Sequence, residues 1–354
     1  MEALHKHLKF SQSILVMLKI KKLGVILEKT SLYFENQGVF NPAIIGEDGM
    51  IHMFYRAVSA GNFSSIGYCQ LDQPMRVVKR LKYPILFPIF NYEKQGIEDP
   101  RIVKIDDFYY LSYTAFDGIN ALGALAISCN LKDFYRWGII VPIIKNKKRK
   151  SSQLNMVFTK LFYNHSEEEE EENETFVWDK NVVFFPRRIE GKLFFFHRIK
   201  PHISLVSIIE LQEMTPIFWT NYFKDYDKHH LKCEHLLHPK PAYIGAGCPP
   251  IEIPDGWLMI YHAAYLEDEE LIYKVHILLL DIRFPTIIKA FLPYSILSPE
   301  YAWEKIGNVD NVVFPTGAIL IQDEIFLYYG AADSRIACAS FSLKQLQNEL
   351  IFFS

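Results

Sequence analysis

The sequence has few cysteines and lacks the close pairs that are typical of disulfide frameworks and zinc motifs. Its five cysteines are scattered over 354 residues, at Cys69, Cys129, Cys233, Cys248 and Cys338. An odd, dispersed set of this kind gives no basis for a disulfide-stapled secreted domain. We therefore expect a cytoplasmic protein.

Long apolar runs and an excess of charge of one sign are lacking as well. The run from Ile14 to Leu18 is followed at once by lysine, and it is too short for a secretion signal or a membrane span. Lysine and arginine total 38 against 41 aspartate and glutamate residues, for a net charge of -3. This balance argues against a nucleic-acid or membrane partner and favours a small neutral or anionic ligand.

Amphipathic helix patterns are nearly absent beyond the first thirty residues, apart from a possible turn at 344–347, whereas an internal repeat is present. Each repeat has a proline, a short apolar stretch, a turn with Asp or Gly, and an aromatic-aliphatic run, which together are typical of a β-hairpin. The five copies begin at Asn41, Asp99, Phe185, Cys248 and Phe314.

Hairpins followed by further strands at this spacing predict an all-β fold, a five-bladed β-propeller with a short N-terminal extension. We assign residues 1–30 to the extension and 31–354 to a single propeller catalytic domain. A charged excursion at about 145–176, with six consecutive glutamates at 167–172, is expected to be exposed.

The innermost strands of a propeller line one central funnel, so equivalent repeat positions converge on one axis. Of the positions preceding the repeat prolines, only Asp99 offers a carboxylate. The position after the terminal aromatic residue holds Arg56, Arg198 and His262 in three of the five repeats. One acid facing several cations predicts a site that protonates a leaving group while binding an anion.

At these residues the chain resembles glycoside hydrolase family 130, the β-mannoside phosphorylases and mannosidases. The resemblance covers roughly residues 41–340. It rests on several motifs in the family's order: Gly-Ile-Glu-Asp-Pro-Arg at 96–101, Asn-Val-Val-Phe-Phe-Pro at 181–186, Ile-Gly-Ala-Gly-Cys-Pro-Pro at 244–250, Asn-Val-Val-Phe-Pro at 311–315 and Tyr-Gly-Ala-Ala-Asp at 329–333.

The resemblance implies an inverting phosphorylase that transfers a mannosyl unit from a β-linked manno-oligosaccharide or mannosyl glycoside to inorganic phosphate. Asp99 would be the general acid, acting through a sugar hydroxyl. Two sets of binding residues follow. For the sugar they are Asn41, Arg56, Glu98, Arg101 and Asp333, and for the phosphate they are Lys180, Asn181, Arg198, Tyr243, His262 and Tyr273.

Two departures from the phosphorylase pattern leave alternatives open. Tyr243 stands where the family usually has lysine, and Lys180 stands where it has arginine, which costs the planar fork that suits phosphate. A β-mannosidase of the same family would need a carboxylate to activate water, and the run at 267–270 is one candidate source. A carbohydrate-binding propeller without catalysis is the second alternative. Asn41, in place of a first-blade carboxylate, disfavours the arabinanase and fructosidase groups.

We expect no metal and no cofactor beyond phosphate as co-substrate. A zinc site among the clustered histidines and cysteine is disfavoured because their spacing fits no zinc motif. That cluster comprises His229, His230, Cys233, His235 and His238. A homo-oligomer is possible.

Overall fold

The computed structural model describes residues 18–145 and 175–353, which are built largely of antiparallel strands. The strands are β1 (Lys21–Leu27), β2 (Gly38–Glu47), β3 (Met50–Ser59), β4 (Phe63–Gln73), β5 (Arg76–Arg80), β6 (Gly96–Ile105), β7 (Phe108–Phe116), β8 (Ala121–Ser128), β9 (Tyr135–Ile139), β10 (Lys180–Phe184), β11 (Leu193–Arg198), β12 (Ser204–Ile208), β13 (Tyr243–Ala246), β14 (Ile251–Ile253), β15 (Gly256–Glu267), β16 (Glu270–Leu280), β17 (Ile288–Phe291), β18 (Val313–Ile321), β19 (Glu324–Ala331), β20 (Arg335–Ser342) and β21 (Ile351–Phe352). The all-β class is confirmed.

The strands form five antiparallel units in chain order. Unit 1 is β2 to β5, unit 2 is β6 to β9, and unit 3 is β10 to β12. Unit 4 is β13 to β17 with β21 at its edge, and unit 5 is β18 to β20 with β1 at its edge. A parallel bridge between Ser64 and Gly96 joins units 1 and 2.

Helices are short and lie between strands. The α-helices are α1 (Pro216–Lys224), α2 (Tyr226–His229), α3 (Ala302–Lys305) and α4 (Leu343–Glu349). Helix α4 confirms the turn predicted at 344–347. Helix α1 has no counterpart in the sequence prediction, although Thr215 caps it by accepting a hydrogen bond from the Phe218 amide (3.3 Å) and Pro216 occupies its first turn.

Each predicted repeat is a hairpin in the structure. The turns between paired strands contain residues with a positive φ, including Asp48, Asp106 and Glu190. Asp and Gly tolerate this left-handed conformation better than most residues, which explains the turn signal in the sequence.

The apolar core lies between adjacent units and consists of five buried clusters. Units 1 and 2 share the cluster of Phe54 and Leu111, units 2 and 3 that of Leu125 and Phe195, units 3 and 4 that of Phe196 and Met259, units 4 and 5 that of Ile260 and Leu327, and units 5 and 1 that of Tyr328 and Met53. First strands also touch: β2 contacts β6 and β18, and β10 contacts β6 and β13. Among the described residues no single sheet closes on itself, so the five-bladed closure stays a prediction here.

The N-terminal strand β1 is the edge strand of unit 5, where it pairs antiparallel with β20. It falls within the stretch that the sequence analysis assigns to the extension, and the boundary at residue 30 stays a prediction. Most of the charged excursion and the glutamate run at 167–172 lie outside the described residues, as does the apolar run before Leu18. In the part of the chain that the structure describes, no helix has the length and apolar character needed to cross a membrane.

A buried ion pair attaches β1 to the rest of unit 5. The Lys22 ammonium lies 2.8 Å from the Glu304 carboxylate, which is fully buried and also accepts a hydrogen bond from the Tyr329 hydroxyl at 2.7 Å. Lys22 donates a further hydrogen bond to the Ser298 carbonyl at 2.8 Å. Residues at both ends of the chain are therefore held by one charged cluster.

We expect Lys22→Met to lower the free energy of unfolding by about 3 kcal/mol, because it leaves Glu304 as a buried charge without its cation. The matched control is Lys21→Met on the same strand, since Lys21 is 57% exposed and lies 4.0 Å from Glu324. That change should cost less than about 1 kcal/mol. Urea denaturation measures both values, and equal losses would contradict the role of the Lys22–Glu304 pair.

Candidate active site

The first strands of units 1, 2 and 3 each carry a β-bulge at an equivalent position. The register shifts fall between Phe40 and Ala43, between Glu98 and Arg101, and between Lys180 and Val183. In each bulge two residues oppose one on the partner strand, which bends the strand and redirects a side chain.

The first residue of each bulge has a left-handed backbone. Asn41, Asp99 and Asn181 have φ values of 52°, 48° and 58°, a conformation that Asn and Asp adopt more readily than other residues with side chains. In the first two bulges the second residue is proline. Proline has no backbone N–H, and at this position no hydrogen bond between the strands is lost by its absence. The bulges therefore explain the Asn-Pro and Asp-Pro pairs of the repeat.

These bulged residues line one cavity of about 230 Å³. Residues from units 1 to 5 contribute to its wall, and they are Asn41, Arg56, Asp99, Trp178, Lys180, Asn181, Arg198, Lys200, Tyr243, Tyr273, Val309, Val312, Phe314 and Asp333. Nine of the twelve site residues predicted from the sequence therefore lie on the cavity wall. Glu98, Arg101 and His262 lie directly behind it.

One end of the cavity holds the carboxylates. Asp99 accepts a hydrogen bond from the Asn41 amide at 2.7 Å and lies 3.7 Å from the Arg56 guanidinium. Arg56 also donates to Glu98 at 2.6 Å and to Ser64 at 2.9 Å. We call this group, together with Asp333, the carboxylate end.

The pKa values of the two carboxylates on the cavity wall are shifted in opposite directions. Burial on its own would raise the pKa of Asp99, but the positive charges of Arg56, Arg101 and Lys180 outweigh it and hold the pKa below its usual value. Burial raises the pKa of Asp333 to about 6, and the nearby Asp99 and Glu98 charges add to the rise although Arg56 opposes it. Asp333 therefore takes up a proton in a pH range where Asp99 is already ionised.

Arg101 supports Asp99 from behind and does not reach the cavity wall. It is buried, and it donates hydrogen bonds to the Asp99 carbonyl at 2.6 Å and to the Gly247 carbonyl of unit 4 at 2.9 Å. This arginine therefore fixes the backbone of the bulge against unit 4.

A second group of wall residues is cationic. It comprises Lys180, Arg198 and Lys200, together with Asn181 and a pair of tyrosines. Burial lowers the pKa of Lys180 and of Arg198, and in Lys180 the charge of Arg198 adds to this effect. The Tyr243 and Tyr273 hydroxyls are hydrogen-bonded to each other, and the Arg198 guanidinium lies 5.2 Å from the centre of the Tyr243 ring. We call this group the cationic end.

His262 lies under the cationic end in its neutral form. Burial and the surrounding cations, Arg198 first, lower its pKa well below the usual value. The Arg198 guanidinium therefore donates toward the His262 Nε2 atom at 3.5 Å. Gly245 makes room here, since a β-carbon on it would lie 2.5 Å from His262 Nε2 and 2.6 Å from Asn181 Nδ2.

Several buried polar atoms of the site have no hydrogen-bond partner within the described residues. They are Asn41 Oδ1, Arg101 Nη2, Asn181 Nδ2, Arg198 Nε and His262 Nδ1. A buried polar atom without a partner costs free energy, so such a concentration is typical of a wall that pairs with a ligand.

The structure corrects the alignment of the repeats in units 3, 4 and 5. The proline spacing predicts Phe185, Cys248 or Pro249, and Phe314 at the position of Asp99. The register of β10 and β11 puts Asn181 there in unit 3, and in unit 5 Phe314 pairs with Gly330 and so matches Phe40 of unit 1. Phe185 and Cys248 are buried in the core between units. The second set of positions is confirmed, because Arg56, Arg198 and His262 pair with Phe40, Lys180 and Gly245 at matching places.

Five wall residues are not among the predicted site residues: Trp178, Lys200, Val309, Val312 and Phe314. Trp178 and Lys200 each lie two residues from a predicted residue, at strand ends, and the alternation of side chains along a strand was the available signal. Trp178 is half-exposed at the mouth, with the Lys180 ammonium 5.1 Å from its ring centre.

Neither secondary candidate cluster from the sequence reaches the cavity. The run at 267–270 is exposed at the turn between β15 and β16, where Glu267 pairs with Lys274 at 2.8 Å. In the histidine-rich stretch, His230 stacks on His202 and Cys233 is buried. Over residues 18–145 and 175–353, no three His, Cys, Asp or Glu side chains are grouped closely enough to hold a metal ion.

The chain is similar to known mannoside phosphorylases over most of its length. The family model of glycoside hydrolase family 130, described as beta-1,4-mannooligosaccharide phosphorylase, matches residues 20–350. A 1,2-beta-oligomannan phosphorylase of Thermoanaerobacter sp. (strain X514) is 32% identical, with 94% of this chain and 100% of that protein covered. A beta-1,2-mannobiose phosphorylase of the same strain is also 32% identical, with 86% and 90% covered.

A solved structure shares the fold. The β-1,2-mannobiose phosphorylase from Listeria innocua, in complex with β-1,2-mannobiose, superposes with a TM-score of 0.70 at 20% identity, over 94% of this chain and 99% of that one. The match of the family model over nearly the whole chain is decisive. The chain belongs to glycoside hydrolase family 130.

Proposed function

We propose that the chain is an inverting β-mannoside phosphorylase that transfers a mannosyl unit from a β-mannoside to inorganic phosphate. The presence of a carboxylate group and a cationic group on the wall of one cavity carries this proposal. The carboxylate end suits the hydroxyls of a sugar and a proton transfer, and the cationic end suits an oxyanion. The names of the relatives that cover most of the chain support the same activity.

In the proposed reaction, a phosphate oxygen attacks the anomeric carbon from the cationic end while the bond to the leaving oxygen breaks. Asp99 supplies the proton that the leaving oxygen needs, through a sugar hydroxyl, and regains one afterwards from the solvent or from phosphate. A single displacement inverts the configuration, so a β-mannoside gives α-mannose 1-phosphate. Arg56 and Asp333, with Asn41, hold the mannosyl unit in this scheme, while Glu98 and Arg101 fix Arg56 and the Asp99 backbone.

The lowered pKa of Asp99 links phosphate binding to protonation of the acid in this scheme. Lys180 is one of the cations that hold this pKa down. A phosphate anion at the cationic end would offset that charge and raise the pKa of Asp99 toward the range in which an acid is protonated near neutral pH. Binding of the nucleophile and loading of the acid are then coupled.

Hydrolysis by a mannosidase would need a carboxylate near the attacking water. Among the described residues, the carboxylates on the cavity wall are Asp99 and Asp333, and both belong to the carboxylate end. The exposed glutamates at 267–270 do not line the cavity. Phosphate, which arrives already anionic, needs no such base.

We also propose that the five units close into a five-bladed propeller forming one catalytic domain over 31–354. The core clusters support this closure, since each lies between successive units and the fifth lies between units 5 and 1. Inorganic phosphate is then the co-substrate, with no cofactor in the scheme, and a β-linked manno-oligosaccharide is the donor.

The direct test is incubation with β-1,2- and β-1,4-mannobiose, with and without inorganic phosphate, followed by assay of mannose 1-phosphate. We expect phosphate-dependent formation of this product, faster from the β-1,2 disaccharide because two relatives that cover most of the chain are named for that linkage. Free mannose formed equally without phosphate would establish the hydrolase instead. Binding of mannosides without any product would establish the binding propeller.

Replacement of the acid separates catalysis from binding. We expect Asp99→Asn to reduce turnover by about 10²–10⁴-fold, because the carboxamide cannot deliver a proton, while sugar binding measured by calorimetry is largely retained. The control is Asp107→Asn, an exposed residue in the hairpin turn of unit 2. Full activity of the Asp99 variant would remove Asp99 from the mechanism.

The raised pKa of Asp333 predicts an acid limb in the pH profile. Ionised Asp333 accepts hydrogen bonds from sugar hydroxyls above its pKa of about 6, and this capacity is lost as the pH falls through that value. We expect kcat/KM for the mannoside to fall below about pH 6 in the wild type. The Asp333→Asn variant should be weaker but lack this limb. Both are assayed at saturating phosphate, where the midpoint should lie at or above about 6 because bound phosphate offsets the Lys180 charge that lowers the pKa of Asp333. An unchanged limb in the variant would assign the titration to another group.

A further inference from the structure

We propose that Lys200 is an additional phosphate-binding residue, which supplies a cation at the mouth of the cationic end. The inference rests on the proposed function, because it names how this chain binds the anionic co-substrate. Lys200 lines the cavity and lies two residues after Arg198, just beyond the end of β11.

The backbone fixes Lys200 next to Tyr243. The Ile244 amide donates a hydrogen bond to the Pro201 carbonyl at 3.1 Å, which ties the first residues of β13 to the segment that follows β11. Lys200 and Tyr243 each precede one of these two bonded residues, so their backbones stay adjacent whatever rotamer the lysine adopts. The Lys200 ammonium lies 3.9 Å from the centre of the Tyr243 ring.

The Tyr243 ring acts as a platform for cations. It carries the Lys200 ammonium in addition to the Arg198 guanidinium, and aromatic faces attract both kinds of charge. The hydrogen bond between the Tyr243 and Tyr273 hydroxyls holds the ring in place. Tyr243 stands where the family usually has lysine. A cation from the neighbouring unit, Lys200, lies against its ring.

Within residues 18–145 and 175–353, no ion pair compensates the charge of Lys200. Partial burial, followed by the charges of Arg198 and Lys180, lowers its pKa. Three cations that repel one another are stabilised when an anion binds between them. Lys200 is also more exposed than the other two, so it is placed to meet phosphate first.

The test compares Lys200→Gln with Lys192→Gln, an exposed lysine in the hairpin turn at the other end of β11. We expect Lys200→Gln to raise the KM for phosphate about tenfold, the loss of one charge-assisted contact, with kcat at saturating phosphate and KM for mannobiose nearly unchanged. Lys200→Arg should retain most of the affinity, and Lys192→Gln should behave as the wild type.

Rescue distinguishes a lost contact from a structural defect. In the Lys200→Gln background, Tyr243→Lys should recover part of the phosphate affinity, measured both as KM and as protection by inorganic phosphate against thermal unfolding. If the wild type makes mannose 1-phosphate but Lys200→Gln leaves the KM for phosphate unchanged, the role of Lys200 is overturned and the proposed function still stands. A wild-type protein that neither binds phosphate by calorimetry nor requires it would overturn the proposed function as well.

Discussion

The arrangement of the site depends on one backbone feature, the left-handed bulge in the first strands of units 1, 2 and 3. A regular strand would place alternate side chains on the two faces of the unit, each covered by a neighbouring unit in the core. The bulge instead directs Asn41, Asp99 and Asn181 into the cavity and leaves the rest of each strand in register. The conformation restricts the residue type, which is why amides and a carboxylate occupy these positions.

The carboxylate end and the cationic end of the cavity differ in their charge. Arg56 pairs with Glu98 and Asp99, so its charge lowers the pKa of Asp99 in addition to the sugar contact proposed for it. Lys180, Arg198 and Lys200 form no ion pair with a carboxylate among the described residues, and His262 is held neutral beside them. A site in which water was the nucleophile would gain little from this excess of positive charge, whereas a phosphate anion is stabilised by it.

The sequence was sufficient for the hairpins and for most of the site, because turn residues and strand-end cations recur at fixed offsets. Arg56, Arg198 and His262 were found this way and do occupy matching places. Phe185 and Cys248 were misaligned because the prolines in units 3 and 4 do not follow the bulge, so proline alone is an unreliable marker of register. Alternation from Arg198 indicates that Lys200 lies on the same side of the strand, but its contact with Tyr243 arises only from packing between units. Strand β1 was likewise hidden, since its partner β20 is about 310 residues away in the sequence.

That distant pairing bears directly on the site. Asp333 lies in unit 5 and Arg56 in unit 1, so their approach requires the last unit to sit against the first. The Val39 amide donates to the Ser334 carbonyl at 3.3 Å, and the Thr316 hydroxyl donates to the Pro42 carbonyl at 2.9 Å. Gly330 permits the contact, because a β-carbon there would lie 2.0 Å from Asn41 Oδ1. With β1 completing unit 5 from the N-terminal side, the two ends of the described chain are joined across the same boundary that carries the carboxylate end. In the proposed function, binding of the mannosyl unit and closure of the five units would therefore depend on one interface.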